Sequence, residues 1–366
     1  MSRRIVLTLL LTLGLSAASF AQKIGPPKLT PAPLTEAQQS LLREGVALHE
    51  QRDYDGAIRK YEEALKENTD NPTALYEIAY AYYAKGDRPK ALEYAYRAAQ
   101  YKSDSLGIIY VLIGNVLDTQ GDPEKAVEIY KAGIKLAPEE AQLHFNLAVT
   151  YSGLGKLDEA KKSVKQSLSR NPKHPTSHLL LASLFQRGGY QTPALFAALR
   201  FLVLEPQSER AEGALQVAQK IMQGSVTPGK NSNEISIFLN MSAKTDEGDF
   251  SSIDLMLGLS KAVSMTKENK EENKNKTEAQ LLVEQFNSVF AVLSELDPKK
   301  VEGKFVGRYY MPYFIELKRR NFVEPFVYHT HRRSGLQGVT EWLKDHDART
   351  LEFLVWSKNY KWPPVN

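Results

Sequence analysis

The hydrophobic and polar positions of residues 38–207 repeat. A turn, a few residues and an alanine recur at Ala57, Ala91, Ala126, Ala160 and Ala194, with spacings of 34, 35, 34 and 34. The turns are Arg52-Asp53-Tyr54, Gly86-Asp87-Arg88, Gly121-Asp122-Pro123, Gly155-Lys156-Leu157 and Gly188-Gly189-Tyr190. Twelve residues before each alanine stands another small residue: Gly45, Ala79, Gly114, Ala148 or Ala182. Twelve residues after it the later units have Pro138, Pro172 and Pro206, where the first two have Thr69 and Ser103. Each unit therefore predicts two antiparallel helices. The small residues sit where the helices cross, because a larger side chain would hold the backbones apart. Large apolar residues such as Tyr110, Ile113, Leu117 and Tyr130 fill the flanks, and proline ends the second helix.

Units of this kind bury their apolar faces on their neighbours, so the last needs a cap. Residues 208–223 supply an amphipathic helix with Ala211, Leu215, Ala218 and Met222 on one stripe, closed by Gly224. Thr35 with Gln38 predicts a capping box that opens the first helix. Beyond Gly224 the period fades. Residues 224–233 form a polar linker, and Gly248-Asp249-Phe250 imitates the repeat turn, which makes 234–265 a candidate for a degenerate sixth hairpin. Residues 267–276 carry no apolar side chain and predict a solvated loop or a frayed helix end. Thr277 with Gln280 opens a helix whose buried face is Leu282, Phe286, Val289, Phe290, Leu293 and Leu296, stopped by Pro298. Further helices are predicted over 305–320, 322–333, 335–346 and 348–359, in a stretch crowded with aromatic residues.

By period and by these residues together, residues 38–207 resemble five tetratricopeptide repeats. The resemblance implies an all-α fold: a superhelix of helical hairpins (an α-solenoid) over 35–224, followed by a second helical domain over 225–366 that resembles no family. It also implies a binding surface. In this family the first helix of each unit lines the concave side, with ligand contacts from the second, fifth, ninth and twelfth positions. Carried over by phase, these are Thr73, Tyr76, Tyr80 and Tyr83; Ile108, Val111, Asn115 and Asp118; Gln142, Phe145, Val149 and Ser152; and Thr176, Leu179, Ser183 and Gln186. The expected peptide-binding set is Tyr76, Tyr80, Tyr83, Val111, Asn115, Asp118, Phe145 and Val149. Tyrosine suits binding, since it buries area at small entropic cost and keeps a polar tip. Tyr80, Tyr82 and Tyr83 are neighbours and cannot all face the groove. None of these positions holds Lys or Arg, which argues against a clamp for an anionic C-terminus.

The N-terminus carries an address. Residues 2–4 are Ser-Arg-Arg, Ile5 to Leu15 is a short apolar run, and Ser19-Phe20-Ala21 fits a small-x-small cleavage site. This is the layout of a secretory signal over 1–21, with an uncleaved anchor as the competing reading. A Pro-rich extended tether over 22–34 follows, with Pro26, Pro27, Pro31 and Pro33. The form of the signal, with the missing cysteines, points to a bacterial periplasm or cell surface.

Composition narrows the chemistry. The 366 residues contain no cysteine, which excludes disulfides, thiol catalysis and Cys-ligated metal sites. The formal charge is +4, falling to +2 if Arg3 and Arg4 leave with the signal, so nucleic acid is not favoured as a partner. Residues 299–333 are locally basic, and Lys318, Arg319, Arg320, Arg332 and Arg333 are a possible anion-binding set, set against the plainer reading of cations in the last turn of a helix. His329 and His331, two apart, point to different sides of a helix and do not share one metal ion there. No nucleotide loop, zinc-protease helix or nucleophile elbow occurs. The chain is expected to be a non-catalytic, exported scaffold that binds a protein or peptide in its groove, without cofactor or metal. The alternative makes the C-terminal region the active part, binding an anionic polymer or catalysing a step no motif announces, with the repeats placing it in an assembly. The sequence carries no argument about oligomeric state.

Overall fold

The computed structural model describes residues 25–67, 69, 71–223, 226–228, 235–237 and 246–364. The predicted signal segment and Gly224 lie outside these. The repeat region forms five helical hairpins: α1 (Glu36–Glu50) with α2 (Tyr54–Glu67), α3 (Pro72–Lys85) with α4 (Arg88–Ala98), α5 (Leu106–Thr119) with α6 (Pro123–Leu136), α7 (Ala141–Gly153) with α8 (Leu157–Arg170), and α9 (Pro175–Gly188) with α10 (Gln191–Leu204). Each helix packs on the next in chain order. The capping box of α1 is present, with Gln38 N–H donating to Thr35 Oγ1 and Thr35 N–H to Gln38 Oε1. Turn glycines Gly86, Gly121, Gly155 and Gly189 have φ of 73–90°, a backbone region that other residues adopt only at a cost.

The small residues are where the pattern placed them. All five alanines at the repeat landmark are fully buried. At Gly45 an added Cβ would lie 2.3 Å from Tyr61 Cε1, and at Gly114 it would lie 2.2 Å from Tyr130 Cε1. Glycine thus lets the tyrosine of the second helix lie flat against the first. α11 (Ala211–Met222) continues the stack, burying Ala211, Leu215, Ala218 and Met222. Part of the tether is docked: the Lys28 and Leu29 amides donate to Gln100 O, and Lys102 N–H donates to Leu29 O.

Two short strands, β1 (Val226–Pro228) and β2 (Ile235–Ile237), pair antiparallel. Then follow α12 (Ser251–Ser264), α13 (Lys267–Glu272), α14 (Glu278–Ser294), α15 (Phe305–Tyr309), α16 (Met311–Arg319), α17 (Val323–Thr330), α18 (Val339–Asp345) and α19 (Asp347–Asn359). Three expectations change here. Within 234–265 the described residues hold a strand and one helix, so the helix pair considered there is not seen among them. The helix expected over 305–320 breaks after Tyr309, because Pro312 has no N–H to carry the ladder through. The polar stretch from Lys267 forms a six-residue helix, capped by Thr266 and with no buried residue.

The C-terminal helices share one apolar core with the repeats. They pack on α10, in which every residue from Thr192 to Val203 is buried. Polar groups tie this junction. His178 Nδ1 bonds Tyr310 Oη at 2.7 Å, and Tyr309 Oη donates to Leu168 O at 3.1 Å. Arg200 Nη1 donates to Ser357 Oγ at 2.8 Å and to Tyr313 Oη at 3.3 Å. His329 Nε2 bonds Val203 O at 3.1 Å, and Thr192 Oγ1 donates to Asp254 Oδ1 at 2.7 Å. Lys165 pairs with the buried Glu247, and Tyr190 Oη donates to Asp246 at 2.6 Å. These contacts come from α8, α10 and the buried flank of α9.

Candidate functional site

The first helices α3, α5, α7 and α9 present a row of side chains that the C-terminal helices leave uncovered. Tyr80 is 41% exposed and Val149 42%. Ser183 and Gln186 are exposed, and Tyr76, Tyr83, Asn115, Asp118 and Phe145 are half-buried. Tyr82, the neighbour of Tyr83, faces the core. Val111 is a correction to the expected set. It is 7% exposed and belongs to the core. Val111 lies in the core cluster that forms where α3, α5 and α7 pack side by side.

The rings form a ladder at one end of the row. Tyr76 and Tyr80 are stacked with centroids 6.1 Å apart and planes 2° from parallel, and His49 stacks on Tyr80 at 5.0 Å. His49 Nε2 is buried without a hydrogen-bond partner, and burial lowers its pKa. Burial also pushes the Tyr76 hydroxyl up to about 12, helped by Glu77, so the ring stays neutral.

A polar network occupies the middle. Asn115 Oδ1 accepts from Tyr130 Oη at 2.7 Å and from Asn146 Nδ2 at 2.8 Å. Both bonds go to the carbonyl oxygen, which turns the amide nitrogen of Asn115 away from them. Asp118 Oδ2 accepts from Thr150 Oγ1 at 2.9 Å. The bonds from Asn146 and Thr150 join the fourth unit to the third, the Tyr130 bond closes the third hairpin on itself, and together they fix the Asn115 and Asp118 side chains. At the far end Phe145 meets His174 edge-on at 4.8 Å. Sequence reasoning missed His49, Tyr130 and Asn146. Continuing the repeat phase into the first unit would have given Val46 and His49. Asn146 lies one position after Phe145 and reaches back to the preceding unit.

Profiles of the tetratricopeptide repeat match residues 42–105 and 119–184. The photosystem I assembly protein Ycf3 of Prochlorococcus marinus is 30% identical over 131 residues, covering 31% of this chain and 76% of that protein. The chain belongs to the tetratricopeptide-repeat family. The BBSome complex member BBS4 of Bos taurus is 27% identical over 133 residues, 36% of this chain and 25% of that protein. A repeat-containing protein of Methanocaldococcus jannaschii is 28% identical over 119 residues, 21% of its length, so the match spans a quarter or less of these two relatives. Among solved structures, a thermophilic tetratricopeptide-repeat protein of Thermus thermophilus is 27% identical, with a TM-score of 0.41, covering 50% of this chain and 98% of that one. As a tetratricopeptide-repeat protein, the chain has the architecture of a protein–protein interaction scaffold.

The basic residues of the C-terminal region are placed otherwise than a phosphate-binding set requires. Arg319 and Arg320 both bind Glu316, through bonds of 2.6–2.8 Å, and these hold the Glu316 carboxyl down to about 2. Arg333 Nη1 donates to Gln207 O, while Arg332 Nε is buried without a partner. Lys318 is half-buried. His329 and His331 are buried with pKa values lowered to about 4 by desolvation, each bonded to a backbone carbonyl, Val203 O and Val327 O. Among the described residues no group of three His, Asp or Glu is disposed to hold a metal ion.

Proposed function

We propose that this chain is a non-catalytic, exported scaffold whose concave groove docks an extended segment of a partner protein. The uncovered row from Tyr80 to Val149 carries the reading. The C-terminal helices pack on α8, α10 and the buried flank of α9, and leave Tyr80, Val149, Ser183 and Gln186 exposed. Tyr76, Tyr80 and Tyr83 supply area for side chains, and Asn115 and Asp118 are fixed to meet a peptide backbone. Export rests on the pattern of residues 1–21. Among the described residues no helix is long and apolar enough to cross a membrane. The alternative, with Lys318 to Arg333 as an anion-binding surface, draws no support from this geometry, since Glu316 already occupies Arg319 and Arg320.

The test is selection of a random twelve-residue display library on the full chain, with the enriched peptides then titrated against wild type and Tyr80→Ala. Losing a stacked tyrosine from a docked interface costs about 1–2 kcal/mol, so enriched peptides should bind Tyr80→Ala about 5- to 30-fold more weakly. Peptides that bind both proteins equally would place the site elsewhere.

A further inference from the structure

A cavity of about 650 Å³ lies among α11, α12, α13 and α14, away from the groove. That is the size of a small-molecule site. Five carboxamides line it: Gln219 and Gln223 at the end of α11, Asn269 and Asn273 on α13 and its cap, and Gln285 on α14. Two of them are held in place. Gln285 Nε2 donates to Met222 O at 2.8 Å, and Asn273 Nδ2 donates to Asn269 O at 2.9 Å. Each keeps its carbonyl oxygen and a second N–H for a ligand. Ser264 and Ser288 also line the cavity; their hydroxyls donate to Lys261 O and Glu284 O, which leaves both oxygens as acceptors. Met222, Leu281 and Leu282 supply an apolar wall. The charges balance. Glu284 is already paired with Lys276 at 2.6 Å, which leaves Lys261 against Glu278.

The wall formed by α13 is poorly anchored. This helix packs on α12 yet buries none of its residues. A helix so short is not stable alone, and it has no apolar side chain to hold it down. A ligand bonded to Asn269 and Asn273 would supply the missing anchor. We propose that the cavity binds a neutral mono- or disaccharide and that α13 closes over it. Carboxamides both donate and accept, as sugar hydroxyls do, so each hydroxyl is satisfied in both directions without a charge. The apolar wall receives the C–H face of the ring. A sugar carries a hydroxyl on most of its ring carbons, whereas a peptide offers one amide per residue and would leave many of these groups unmet. A charged ligand finds no net opposite charge here.

The experiment uses the full chain with glucose, maltose, cellobiose and chitobiose, and with glycerol as the small-polyol control. Saturation-transfer NMR reads binding, and amide hydrogen exchange reads α13. At least one sugar should bind where glycerol does not, and it should slow exchange over residues 267–273. Asn269→Ala and Gln219→Ala should each weaken that sugar about 3- to 10-fold, the loss of one hydrogen-bonding amide. Both variants should keep the wild-type urea midpoint, because neither is buried and neither side chain is bonded among the described residues. Tyr80→Ala should bind the sugar as wild type does, which separates this site from the groove. Failure of every sugar to bind at millimolar concentration would overturn the proposal. So would a sugar signal matched by glycerol, or one unchanged in both Asn269→Ala and Gln219→Ala. Binding that leaves exchange over 267–273 unaltered would overturn the closing of α13.

Discussion

Gly114→Ala tests the packing that shapes the groove. The added methyl would stand 2.2 Å from Tyr130 Cε1, 2.6 Å from Cζ and 2.7 Å from Cδ1. Carbon atoms in contact sit about 3.5–4.0 Å apart, so the ring must shift by more than an ångström. It has little room to do so. Tyr130 is 1% exposed, and its hydroxyl is held by Asn115. Overpacking of this kind costs about 1–3 kcal/mol, and so short an approach belongs at the upper end. Alanine in a helix returns about 1 kcal/mol relative to glycine. The net expectation is a loss of about 2 kcal/mol, or roughly 4–8 °C in melting temperature for an array of this size. Gly213→Ala is the control. It lies in α11 with nothing within 4 Å of the added carbon, so helix propensity acts unopposed and stability should rise by about 0.5–1 kcal/mol. Urea unfolding followed by helical circular dichroism reads both. A Gly114→Ala protein as stable as Gly213→Ala would refute the close-packing argument.

Two further expectations concern the junction with the C-terminal helices. His178, His329 and His331 are buried and neutral there, with pKa values lowered to about 3, 4 and 4, while the unfolded chain takes up protons below about pH 6.5. The unfolded state therefore binds more protons as pH falls, and stability should drop between pH 6.5 and 5 by on the order of 2 kcal/mol per histidine. The urea midpoint at pH 7 and at pH 5 checks this, and equal midpoints would contradict it. Arg200 is 1% exposed and has no carboxylate partner among the described residues; it relies on Ser357, Tyr313 and the faces of Tyr313 and Trp362. Ser357→Ala should cost about 1.5–3 kcal/mol by leaving that charge short of an acceptor, while Arg200→Met, which removes the charge, should cost less. The same denaturation assay decides, and a Ser357→Ala loss below about 0.5 kcal/mol would refute the role.

The array was legible because it repeats. One landmark of Ala160 or Gly155 says little, but five in phase fix both helices of each unit and the face each presents. Phase also put Tyr80 and Val149 at exposed positions. It failed at Val111, a valine like Val149, because the packing of neighbouring helices, which phase does not carry, decides exposure there. It also missed the ties of Asn115 to Tyr130 and Asn146, which need the spacing between neighbouring helices. The C-terminal region was legible only as helices. Its anchoring joins residues far apart in the chain, such as His178 with Tyr310 and Arg200 with Ser357, and no local pattern announces such pairs. One signal was present. Residues 194–203 have Arg200 as their only polar side chain, and a helix apolar all round is buried on all sides. α10 therefore needed a cover that the repeats could not supply, and the C-terminal helices provide it.

The central claim is that the partner lies in the groove, with the C-terminal helices serving as cover for α10. Site-specific photocrosslinking in the native host tests it most directly. A benzophenone side chain would be placed at the exposed groove positions Tyr80 and Val149, and at Leu351 and Val355, which are 59% and 51% exposed on α19. The account predicts the same discrete protein adduct from positions 80 and 149 and none from 351 and 355. Adducts confined to 351 and 355 would contradict it and move the binding surface to the C-terminal helices.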